Sequence, residues 1–127
     1  MADVVLVVNR GLELVTDRIM GVGTEPKFVA WGTGTVAPAA ANTALGTPGA
    51  EARTSGTSSK VMTTTTGDTY QVVGTIVCTG SAKAITEVGL FDALTNGNLF
   101  VRGTFDPINV NVGDSIQFTI KNVLARA

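Results

Sequence analysis

Few residues in this chain can do chemistry, and their spacing narrows the choice further. Its 127 residues include no histidine and one cysteine. Without an imidazole, neither a Ser-His-Asp nor a Cys-His arrangement can be built. Zinc would lack both its usual nitrogen ligand and a second sulfur. Carboxylates remain as formal candidates for acid–base work. Asp92 and Asp106 flank one expected hairpin, and Asp68 and Asp114 lie in expected turns. Turn aspartates mostly accept hydrogen bonds from their own backbone, and the pairs Asp106-Pro107 and Gly113-Asp114 fit that role. No D-x-D-x-D-G calcium loop is present. The run Gly32-Thr33-Gly34-Thr35 superficially resembles a phosphate loop. It lacks the third glycine of the dinucleotide pattern, the Gly-Lys-Thr ending of the P-loop and a following helix, so it reads as a turn. Trp31 just before it reads as a core anchor, and Cys78, inside an apolar run, as inert packing. No catalytic, cofactor-binding or metal-binding residue is expected, and no enzyme.

The elements that would position these residues are mainly strands. The start reads as a short strand or extended arm from Asp3 to Val8, then a helix over 11–20. Asn9 is its expected N-cap, Leu12, Val15 and Ile19 form one apolar face, and Gly21 and Gly23 stop it. A compact apolar strand is expected over 27–31. Residues 32–59 change character, being almost all small, with Pro38, Pro48 and Leu45 as the one large apolar side chain. Such a stretch reads as a flexible loop or arm that orders against neighbours, its later part passing into strand. Strands are then expected over 69–79 and 84–91, followed by an Asn96-Gly97 type I′ turn. The next strand, 99–105, alternates Leu99, Val101 and Phe105 against Phe100, Arg102 and Thr104. Val73 and Val77 make the second face of the 69–79 strand partly apolar, hinting at cover on both sides. The last strand sets Ile116, Phe118 and Ile120 inward against Ser115, Gln117, Thr119 and Lys121. This pattern predicts one mainly β domain over 1–127: an antiparallel sandwich or jelly roll with one short N-terminal helix.

Composition excludes several partners. Nine basic and ten acidic residues leave a net charge of −1, with no basic run, so neither nucleic acid nor membrane is expected. Charged residues are 15% of the chain, against roughly 25% for an average soluble protein. Much of the exterior must then be Thr, Ser, Gly and Ala, which can pack against neighbours without desolvating charge. Permanent assembly follows as an expectation, as a homo-oligomer with a trimer placed ahead of a dimer.

Several segments together resemble the small structural proteins of tailed bacteriophage particles, most of all head decoration (cement) proteins. They are Asn9-Arg10-Gly11-Leu12 leading to Thr16-Asp17-Arg18-Ile19, Val29-Ala30-Trp31-Gly32-Thr33-Gly34-Thr35, Thr43-Ala44-Leu45, Glu87-Val88-Gly89-Leu90-Phe91-Asp92-Ala93, Phe105-Asp106-Pro107-Ile108 and 113–120. The resemblance implies a β-sandwich oligomer on the outer face of the capsid shell, with the major capsid protein as partner, made in the host cytoplasm. A tail, fibre or baseplate component is the alternative, and a receptor- or carbohydrate-binding β-module a second one.

Overall fold

A computed structural model describes residues 4–126. In chain order the elements are β1 (Val4–Val7), α1 (Asn9–Ile19), β2 (Phe28–Gly32), β3 (Thr54–Ser55), β4 (Thr57–Val61), β5 (Thr69–Val77), β6 (Lys83–Phe91), β7 (Leu99–Val110) and β8 (Ser115–Val123). All pairings are antiparallel, in a five-stranded sheet ordered β1-β7-β6-β2-β3 and a three-stranded sheet ordered β4-β5-β8. The fold is mainly β with one short helix, as the sequence predicts. Core side chains come from both sheets: Val29, Trp31, Leu90 and Phe100 meet Val72, Ile76, Phe118 and Ile120. Of the inward set expected for the last strand, Phe118 and Ile120 are buried and Ile116 is half-buried.

The helix differs from expectation in cap and face. Asn9 is its first residue; Val8 occupies the cap position without a side-chain bond. Val8 continues β1, fully buried, with its N–H on the Phe100 carbonyl, and this fixes the rotation of the turn that follows. The buried positions are therefore Gly11 and Leu14, whereas Leu12 is 61% and Ile19 81% exposed. Only a glycine fits at 11, where a Cβ would stand 2.2 Å from the Phe100 oxygen. The helix does stop ahead of Gly21.

β7 breaks the simple alternation as well. Leu90 faces Val101 and Phe91 faces Leu99, so Phe100 is an extra residue in the ladder. The bulge puts both Phe100 and Val101 in the inter-sheet core, while Leu99 packs with Leu45, Phe91 and Val8 in a separate cluster. Arg102, on the face opposite Val101 as the alternation has it, is 2% exposed. On β5 the second face stays open, Val77 being half exposed. The Asn96-Gly97 turn forms with φ of 54° and 70°.

Residues 32–59 were expected to need a neighbour. In the structure they fold onto their own chain, as a layer over the face of the larger sheet that points away from the smaller one. Leu45 is buried against Gly89, Pro48 bridges to Gly32, and the stretch ends in β3 and most of β4.

Candidate assembly surface

The carboxylates singled out in the sequence are spread apart. Asp68 accepts the N–H groups of Thr63, Thr64 and Thr65 and the Thr69 hydroxyl. These bonds, the Thr65 amide foremost, hold its pKa well below the ordinary aspartate value. Asp92 accepts from the Asn98 backbone and side-chain amides at 2.6 and 3.0 Å, and Asp114 from the Asn111 N–H at 2.8 Å. All three act as turn caps. Asp106 lies well along β7, roughly 20 Å from Asp92 by strand rise, too far to work with it. Cys78 is buried, its thiol 3.3 Å from the Ser81 carbonyl. Among the described residues no group of His, Cys, Asp or Glu could hold a metal ion, and no helix is long and apolar enough to cross a membrane.

The Gly32–Thr35 turn does hold an anion, and the anion is the chain's own. Glu87, on β6 and fully buried, accepts the N–H of Gly34 (2.7 Å) and Thr47 (2.8 Å) on one oxygen. The other oxygen takes the Gly46 N–H (2.8 Å) and Arg102 Nε (2.9 Å). Burial works to raise the pKa of Glu87, and these bonds more than reverse it, leaving the pKa below the ordinary glutamate value. Arg102 also donates from Nη1 to Asn42 Oδ1 (3.0 Å) and from Nη2 to the Val36 carbonyl (2.8 Å). One ion pair thus fastens both ends of a loop that has almost no apolar side chains of its own. A second cluster lies at Glu51, which accepts from Trp31 Nε1 and the Thr79 N–H at 2.9 Å each and pairs with Lys83. Trp31 is the core anchor expected, with its indole N–H satisfied.

Sequence reading passed over Glu87, Arg102, Glu51 and Lys83. The available signal was a lone charge inside an apolar strand, Glu87 in Ala84–Phe91 and Arg102 in Leu99–Phe105. Such a charge is almost never buried without a partner.

Two exposed features are suited to contacts with other molecules. On the open side of the sandwich, a cleft of about 470 Å³ runs between β8 and the inner face of β1 and β7, with Val5, Phe105, Ile108, Ile116 and Phe118 on its walls. Near the helix, a groove of about 440 Å³ lies between Leu14, Ile19, Pro26, Phe100 and Leu124. The outer face of the smaller sheet is sparsely charged: Thr57, Ser59, Thr75, Ser115, Gln117, Thr119 and Lys121 are exposed on it or at its margin, beside the half-exposed Val77 and Val123.

Comparison with known proteins places this architecture. The family described as Podophage GP4 fiber I protein gp80 matches residues 19–126, which takes in every strand from β2 to β8. The co-chaperonin GroES of Aliivibrio salmonicida (strain LFI1238) is 40% identical over 52 residues, 41% of this chain and 55% of that protein. The chain thus spans about half the length of that curated relative. No solved structure matches it. The chain belongs to the podophage GP4 fiber I protein gp80 family and is a structural protein of the bacteriophage virion.

Proposed function

We propose that this protein is a fibre component of the phage tail, a non-catalytic subunit that works by packing against copies of itself and other virion proteins. The observation that carries the reading is the match to a fibre protein family over residues 19–126. It favours the tail or fibre alternative over decoration of the head shell. A sparsely charged exterior rich in Thr and Ser suits close lateral packing, and a sandwich with one open side offers a place for it.

Location in the particle tests this. Purified particles are separated into heads and tails, and the protein is quantified in each fraction by mass spectrometry with gold-labelled antibody on intact particles as a check. A fibre component follows the tails, in a copy number that is a small multiple of the tail symmetry. Recovery with the heads in hundreds of copies would refute the fibre reading and restore the cement one.

A further inference from the structure

The open side of the sandwich carries a long strand edge with one guarding charge. β8 pairs with β5 over nine positions, from Val77↔Ser115 to Thr69↔Val123, without a register shift. No described strand lies on its other side. The Leu124 N–H donates to the Asp68 carbonyl and the Cys78 N–H to the Asp114 carbonyl, so even-numbered positions bond to β5. By the alternation of an antiparallel ladder, the backbone groups of Ser115, Gln117, Thr119, Lys121 and Val123 point away from it. Those five residues carry one N–H and one C=O each, ten groups in a row. Proteins guard such edges with charged side chains, lysine above all, and with proline, a bulge or brevity. β8 has a single one of these, Lys121, exposed on the outer face near one end of the strand.

We propose that this edge joins a second copy of the same chain, β8 against β8, antiparallel about a two-fold axis at Thr119. A two-fold on an antiparallel ladder passes through one position of the strand, either an outward-bonding one or the inward-bonding one between two of them. With Thr119 on the axis, Ser115 faces Val123, Gln117 faces Lys121, and all ten groups find partners. Moving the axis to Phe118 or Ile120 strands one residue at the end of the edge, two groups per copy; moving it to Gln117 or Lys121 strands two residues, and the Lys121 choice also sets two ammonium groups opposite each other. The Thr119 register instead gives a Thr–Thr pair, a favoured cross-strand contact. A second copy fits better than a charged partner, because the chain's net charge of −1 leaves little to repel its twin and the edge offers one cation only. The incoming strand runs along the cleft whose far wall carries Val5, Phe105 and Ile108, of which Val5 and Ile108 are exposed in the single chain. The pairing does not depend on where in the particle the protein sits.

Sedimentation of the purified chain tests the proposal, together with three variants. The wild type should pass from monomer to dimer with rising concentration. Thr119→Pro removes an N–H that β5 does not use and should yield monomer with an unchanged melting temperature. Thr119→Cys should form a disulfide-linked dimer on mild oxidation, since paired positions stand about 5.5 Å apart between Cα atoms. Lys121→Cys should not, because the two copies of that residue lie about 13 Å apart along the strands. Buried Cys78 does not compete. A wild type monomeric at millimolar concentration overturns the proposal. So does a folded Thr119→Pro variant that still dimerises, or Lys121→Cys linking as readily as Thr119→Cys. Should Thr119→Pro fail to fold, the two cysteine variants decide.

Discussion

Removing both members of the Glu87–Arg102 pair together should be nearly as damaging as removing one. Replacing an ordinary buried ion pair by apolar residues of similar size is often neutral or stabilising, because the cost of desolvating two charges disappears with them. Here the carboxylate has a second duty. It accepts from Gly34, Gly46 and Thr47 as well as from Arg102. In Arg102→Met, Glu87 keeps its three amides but loses its counter-ion, and the Val36 carbonyl and Asn42 lose a donor; about 3–5 kcal/mol is expected. In Glu87→Leu/Arg102→Met no charge is stranded, but three loop N–H groups lose their acceptor. At about 1 kcal/mol or more for each unsatisfied donor, the double variant still loses about 3 kcal/mol. Urea unfolding at neutral pH measures both, and amide exchange at Gly34, Gly46 and Thr47 should speed up in the double variant more than exchange in β5. A double variant within about 1 kcal/mol of wild type would show that the amides have other acceptors and that the pair is an ordinary one.

Other outcomes follow from the same contacts. Gly11→Ala, with its Cβ directed at the Phe100 oxygen 2.2 Å away, should lose about 1–3 kcal/mol in thermal unfolding, whereas Gly80→Ala, which has open space, should show only the smaller cost of its positive φ. At Glu51, burial works to raise the pKa, but Lys83, the Thr79 N–H and Trp31 outweigh it and hold it at about 2, below the usual 4.5. A depressed pKa contributes stability that is present above about 4.5 and lost as pH falls through about 2, so Glu51→Gln should cost up to about 3 kcal/mol at pH 7 and converge with wild type near pH 2 in acid titrations. Trypsin should spare the bond after Arg53 in the free protein, because its guanidinium lies 3.6 Å over the Phe91 ring and donates to the Ala93 carbonyl; rapid cutting there would mean that the loop opens on its own.

β8 was legible in the sequence because it is solvated on one face and regular throughout, so its alternation survives intact. β7 was not. One extra residue at Phe100 puts Leu99 and Phe100 on the opposite faces from those a strict period of two gives them, while Arg102 keeps its face and is buried there by the loop, and nothing in the residue types announces a bulge. The helix failed in a similar way: Leu12, Val15 and Ile19 do form a stripe, but Val8, tied into β1, decides which side of the helix meets the core. The loop over 32–59 was judged by its lack of large apolar side chains. What holds it is backbone amides converging on one buried carboxylate forty or more residues away, a long-range bond with no local pattern. Of the site residues, the turn aspartates were readable from their neighbours, and the Glu87–Arg102 pair only from the oddity of a charge in an apolar run.

That pair also works as a check on strand registry. A slip of one residue between β6 and β7 turns every side chain of the moving strand to the opposite face. It would deliver Arg102 into the space shared by Val72 and Phe118 and leave Glu87 with no cation, an error of several kcal/mol for each stranded ion. Apolar residues at 87 and 102 would tolerate such a slip, since Leu or Met is at home on either side of the sheet. The ions therefore widen the gap between the native pairing and its nearest competitors more than they deepen the native state itself. For a structural protein of the virion, uniformity of the folded product is the property this gap secures.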